Sequence, residues 1–159
     1  MKKIISVLIL IILCSLVSFR AEARGKYVAD SMESQILGEV RHFAVYLPES
    51  YDNDNGKEYP VLYLLHGGGG SWVDWGRVGN MVRIADQLMA AGESRQMIIV
   101  MPDAGTTLMT YFNGGTWNFE DHFFKEFMPV VENRYRIRAE KGSRAIAGLS
   151  MGGQGSVIY

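Results

Sequence analysis

The segment Gly148-Leu149-Ser150-Met151-Gly152 sets a serine between two glycines, each two residues away. A short strand-like run, Arg144 to Ala147, precedes it, and the small residues Gly152, Gly153, Gly155 and Ser156 follow. This is the pattern of a sharp strand-to-helix turn that pushes a hydroxyl out of a sheet, where a base can activate it. Side chains at the glycine positions would collide with the neighbouring strand and helix, and the strain is concentrated at the serine. A glycine-rich turn without catalysis would look alike in isolation; the strand context and the extra glycines favour a nucleophile.

A second segment fits the same chemistry. His66-Gly67-Gly68-Gly69-Gly70 follows directly on the apolar run Val61 to Leu65. Acyl transfer needs two N–H donors aimed at a carbonyl oxygen as it becomes negative, one from the residue after the nucleophile and one from a glycine-rich loop after an earlier strand. Met151 and Gly68 are the expected donors, and a glycine beside Gly68 could serve in its place. Phosphate binding is the rival reading of the loop. No Gly-Lys-Ser/Thr follows it, and Trp72 stands where the last glycine of a G-x-G-x-x-G frame starting at Gly67 would be. His66 is expected to hold the loop by hydrogen bonding rather than to act as a base. His42 and His122 are expected to be surface or core residues, and Asp103, at the end of a strand, to be structural. Trp72, Trp75 and Trp117, with Tyr111 and Phe112, are candidates for an aromatic wall around the site, although loop packing explains them equally well.

The elements that position these residues follow from periodicity. From Val40 the pattern alternates, with Phe43, Val45 and Leu47 on one face and His42, Ala44 and Tyr46 on the other, which predicts a strand closed by Pro48. Residues 51–59 are rich in Asp, Asn and Gly and read as a turn. Val61–Leu65 and Met97–Met101 are apolar throughout, as strands covered on both faces are. Met81–Ala91, with Val82, Ala85, Leu88 and Met89, and Phe119–Arg134, with Phe123, Phe127 and Val130/Val131, have helical spacing. Pro129 predicts a kink or an early end in the second of these helices. Residues 24–38 carry little signal, and 106–116 read as a long loop. Strands alternating with helices predict an α/β fold with a mostly parallel sheet and a hairpin or edge strand in front.

The amino terminus reads as an export signal over residues 1–23: Lys2 and Lys3, the apolar stretch Ile4–Val17, then Ala21-Glu22-Ala23. One domain is expected over 24–159. Hydrophobic residues make up 48% of the chain and charged residues 21%, which excludes global disorder. Removing Lys2, Lys3, Arg20 and Glu22 takes the net charge from −1 to −3, which gives no reason to expect a nucleic-acid or anionic-membrane partner. Cys14 is the single cysteine and leaves with the signal, so the mature chain is expected to hold neither a disulfide nor a thiolate metal site. No cofactor or metal is expected, nor stable membrane insertion after cleavage, and nothing in the sequence sets an oligomeric state.

The stretches VYLPESYD (45–52), YPVLYLLHGGGGSWVDW (59–75), IIVMPD (98–103), VVENRYRI (130–137) and AIAGLSMGGQGS (145–156) resemble the esterase family of α/β-hydrolases. That family includes esterase D (S-formylglutathione hydrolase), feruloyl and acetyl-xylan esterases, siderophore esterases and mycolyltransferases. The resemblance implies an α/β-hydrolase fold with helices on both faces of the sheet and a serine esterase acting through an acyl-enzyme on acyl or feruloyl esters of polysaccharide, and the export signal implies a secreted or periplasmic location. An acyltransferase with the same site, or a carbohydrate-binding relative without catalysis, are the alternatives. Family members take the acid and histidine of their triad from beyond the serine. The chain ends at Tyr159, so it is expected to be an amino-terminal part, inactive alone, that leaves one sheet edge and much of the core uncovered.

Overall fold

The computed structural model describes residues 25–105 and 111–159. The expected signal segment with Cys14, and the first part of the loop expected over 106–116, lie outside the described residues. A five-stranded sheet has the order β1 (Lys26–Ser34), β2 (Glu39–Leu47), β4 (Ile98–Pro102), β3 (Val61–Leu65) and β7 (Arg144–Gly148). β3 is parallel to both β4 and β7, whereas β2 is antiparallel to β4 and to β1. Only β2 therefore runs against the other four, and the expected mostly parallel sheet with a leading hairpin is what forms.

Both faces are covered. Phe43, Val45, Val61, Tyr63, Leu65, Ile98 and Val100 share one core with Phe119, Phe123, Phe127 and Val131. Ala44, Tyr46, Ile99 and Met101 share another with Met81, Ala85 and Met89. The side-chain alternation of a strand sends successive residues of β2 into the two cores in turn, as its sequence predicts. Between β3 and β7 lie α1 (Asp74–Arg77), α2 (Met81–Ala90), a two-stranded hairpin of β5 (Asn113–Gly114) and β6 (Trp117–Asn118), α3 (Phe119–His122) and α4 (Met128–Arg134); α5 (Met151–Ile158) follows β7.

The structure adds to or corrects four of these readings. Residues 26–34, silent in sequence, form the edge strand β1, held by contacts from the α4 region: Arg134 and Tyr135 donate to Asp30 at 2.7 and 2.8 Å. The described part of the 106–116 segment contains β5, which pairs with β6 around Gly115 at φ +57°, a value that suits glycine. Leu88 is exposed, and the inward stripe of α2 is Met81, Ala85 and Met89. Pro129 does not end its helix. Instead Phe123–Phe127 is a π-helical turn between α3 and α4, a wider turn that leaves Pro129 in the first turn of α4, where a missing N–H costs nothing.

Seventeen residues of the larger core are buried. Apolar surface is left open at the β7 edge and on α5, among other places. Every residue of β7 is at least partly exposed, and Val157 and Ile158 are 86% and 63% exposed.

Candidate active site

The pairing of β3 with β7 brings the two motifs together. Their register matches Leu65 with Gly148, so His66 and Leu149 leave the sheet side by side at the carboxyl ends of neighbouring parallel strands. The Leu149 N–H donates to Leu65 O at 3.3 Å, and the chain then turns sharply at Ser150 (φ 53°, ψ −112°). This backbone lies in a region that L-residues rarely adopt, which makes Ser150 a strained elbow rather than an ordinary helix start.

Both flanking glycines are required by contact. A Cβ on Gly148 would lie 2.4 Å from the backbone carbonyl of Gly152, and one on Gly152 would lie 2.5 Å from Leu65 O and 2.8 Å from His66 O. The elbow thus packs backbone against backbone, on α5 at one glycine and on the end of β3 at the other. Ser150 is exposed, and its Oγ makes no hydrogen bond among the described residues.

The glycine corner faces this elbow. A Cβ built on Gly67 would sit 3.7 Å from the Ser150 Cβ, and one on Gly68 would sit 4.0 Å from the Met151 Cβ. Gly67 therefore lies beside Ser150, and Gly68 beside Met151. Met151 opens α5, where the first N–H groups have no partner within the helix. A cleft of about 340 Å³ runs along Gly67–Gly70, Asp74, Trp75, Val78 and Leu149.

Hydrogen bonds shape the corner. The Gly70 N–H donates to Gly67 O at 3.1 Å and closes a tight turn. The buried His66 ring accepts from the Ala104 N–H at Nε2 (3.0 Å), so its proton lies on Nδ1 and is donated to Gly67 O at 2.8 Å. His66 holds the loop and is fully engaged in doing so. The Tyr111 hydroxyl donates to His66 O at 3.2 Å, and burial pushes that phenol well above its ordinary pKa, so it stays a donor. Asp74 Oδ2 accepts from the Ser71 N–H at 3.1 Å and occupies the space a Gly70 side chain would need, since a Cβ there would lie 2.6 Å from it.

The remaining candidates separate. Trp75 lines the cleft, and its Nε1–H is buried without a partner among the described residues. Trp72 instead stacks on the exposed His42, with ring centroids 6.0 Å apart, beside the α2-side core. Trp117 packs on Phe119 at 5.8 Å with the Arg41 guanidinium over its ring. His122 is buried on α3 and donates from Nδ1 to Glu126 Oε2 at 2.9 Å. Asp103 sits at the end of β4 and accepts from the Gly105 N–H at 2.7 Å. No group of His, Cys, Asp and Glu suited to a metal ion occurs among the described residues, and no helix there is long and apolar enough to cross a membrane. Sequence reasoning missed the supporting roles of Asp74 and Tyr111. Of the two, only Asp74 had a local signal, its short distance from the glycines.

The comparisons with known proteins agree with this fold. The chain is 36% identical over 126 residues to an endo-1,4-beta-xylanase/feruloyl esterase of Xylanibacter ruminicola, covering 76% of the chain and 17% of that protein. A solved ferulic acid esterase superposes with a TM-score of 0.83 at 41% identity, over 86% of this chain and 53% of the other. A ferulic acid esterase from Anaeromyces mucronatus, solved with ferulic acid, gives 0.68 at 29% identity, over 81% and 50%. The chain thus spans about half the length of the solved esterases and under a fifth of the xylanase/feruloyl esterase. The solved esterases share the α/β-hydrolase architecture of this chain. A family model described as "Putative esterase" matches residues 34–159, and the chain belongs to that family.

Proposed function

We propose that this chain carries the nucleophile and the oxyanion corner of a secreted serine carboxylic-ester hydrolase, acting through an acyl-enzyme on acyl or feruloyl esters of polysaccharide. The observation that carries the reading is the exposed Ser150 in its strained elbow, with Gly67 and Gly68 packed against it.

In the proposed reaction Ser150 Oγ attacks the ester carbonyl and loses its proton to a base, and the carbonyl π electrons move onto oxygen. The negative oxygen is met by the N–H groups of Gly68 and Met151, each worth about 3 kcal/mol of barrier in sites of this type. Collapse expels the alcohol with the proton from the base and leaves the acyl group on Ser150. Water repeats the sequence and frees the acid. In this reading the base is a histidine oriented by an acid, both following Ser150 in the chain, as the family resemblance implies. On this reading residues 1–159 alone have at most a residual rate.

Two relatives named for feruloyl or ferulic acid esters support an aromatic acyl group, and Trp75 in the cleft offers it a flat apolar wall. One relative joins feruloyl esterase with endo-1,4-beta-xylanase in its name, which supports an ester borne on polysaccharide. The test is expression of the uninterrupted reading frame with and without Ser150→Ala, assayed on p-nitrophenyl acetate and methyl ferulate. The alanine variant is expected to lose turnover on both; unchanged rates would remove Ser150 as nucleophile. Export is checked by sequencing the amino terminus of secreted protein, expected at Arg24.

A further inference from the structure

We infer that Arg41 and Asp103 form a buried brace that sets the direction of the Gly68 N–H, acting through Ala104 and His66; both are positioning residues for the oxyanion corner. The inference rests on the proposed acyl-transfer site and adds two residues to it.

The brace can be followed bond by bond. Arg41 lies on β2, two residues before the Phe43–Pro102 pair, and so reaches the segment that leaves β4. Its Nη2 donates to Asp103 O at 2.5 Å and lies 3.5 Å from Asp103 Oδ1. Asp103 Oδ1 accepts from the Gly105 N–H at 2.7 Å, which folds the chain over just after the strand. That fold presents the fully buried Ala104 N–H to His66 Nε2.

A donor at Nε2 leaves the ring one choice, which is to carry its proton on Nδ1 and give it to Gly67 O. In a trans peptide the C=O and the following N–H point in opposite directions within one plane. Fixing the Gly67 carbonyl towards His66 and Gly70 therefore fixes the Gly68 N–H away from them. The segment it points from is the one packed against Met151 and Ser150.

One feature shows that the brace is held at a cost. The Arg41 side chain is only 11% exposed, and its Nε is a buried donor with no partner among the described residues. Burying such a group unpaired is unfavourable, and local rules of this kind are broken chiefly where position matters. His66 Nε2 lies 3.7 Å from Asp103 Oδ1 and instead accepts from the Ala104 N–H at 3.0 Å.

The test compares Asp103→Ala, Asp103→Asn and Arg41→Gln in the uninterrupted polypeptide. Asp103→Ala is expected to lower kcat roughly 10- to 100-fold with little change in KM, because only the transition state uses the Gly68 N–H fully. Affinity for an arylboronic acid, which becomes anionic and tetrahedral on Ser150, should fall by the same factor, whereas affinity for the product acid should hold. Asp103→Asn keeps an oxygen for the Gly105 N–H and should recover most of the rate. In parallel, NMR of isotope-labelled His66 should show a protonated Nδ1 in the parent and a mixture of tautomers in Asp103→Ala. Should that variant fail to fold, Arg41→Gln gives the same readings. Retained kcat with a single His66 tautomer overturns the brace. If the parent turns over no ester, the proposed function fails, and the His66 tautomer still decides the brace.

Discussion

Gly152→Ala is expected to destabilise the protein by about 2 kcal/mol, and Gly153→Ala, one residue further along the same helix, to leave it unharmed. The added methyl at 152 would stand 2.5 Å from Leu65 O, 2.7 Å from Leu65 C and 2.8 Å from His66 O. All three are backbone atoms at the end of a buried strand, so relief requires moving α5 off β3. Overpacking of this kind costs about 3 kcal/mol at the upper end of its usual range. Alanine returns about 1 kcal/mol through its better helix propensity, which leaves the net figure. At Gly153 the new Cβ would meet only Gly148 O at 3.5 Å, an ordinary contact, so the propensity gain stands almost alone. Urea denaturation of both variants against the parent measures the difference directly. A Gly152→Ala variant as stable as the parent, or equal losses at both positions, would refute the claim that backbone contact imposes the glycine.

Further outcomes follow from the same geometry. Ser150→Gly should raise stability by about 1 kcal/mol, since glycine accepts φ 53° without strain while adding some unfolded-state entropy; Ser150→Ala should not, and urea midpoints separate the two. Glu126 accepts from Ser34 Oγ (2.6 Å), Gln35 N (2.9 Å), Ile36 N (3.1 Å) and His122, so Glu126→Ala should cost about 2 kcal/mol by the same assay, chiefly by stranding the buried Ser34 and His122 donors. Stability should also decline on acidification. Burial holds the folded pKa of His122 below 6.5, so the unfolded chain takes its proton first and stability is lost as pH falls below about that value. Glu126 adds a second loss below its ordinary 4.5: burial alone would raise it, but the bonds from Ser34 and His122 lower it. Urea midpoints from pH 8 to pH 4 record both, and His122→Gln should flatten the upper part.

What the sequence disclosed was what depends on neighbours in the chain. The buried strands β3 and β4, the alternation in β2 and the elbow glycines were legible because their physical requirements are local. β1 was not, because KYVADSMES lies at a sheet edge with most positions at least partly exposed, and its anchors Glu126, Arg134 and Tyr135 are about a hundred residues away. Trp72 and Trp75 look equivalent in sequence, yet three residues of turn carry one to His42 and the other to the cleft. The Arg41–Asp103 contact spans sixty-two positions and had no local signature at all.

The carboxyl end of β3 has a mechanical consequence. Leu65 and His66 anchor the elbow from one side and bear the glycine corner on the other. Nucleophile and amide donors are thus mounted on a common post, and slow breathing or twisting of the outer strands would carry both along without changing the gap between them. Insertions elsewhere in the molecule can reshape what reaches the serine while leaving the alignment of the reacting groups intact.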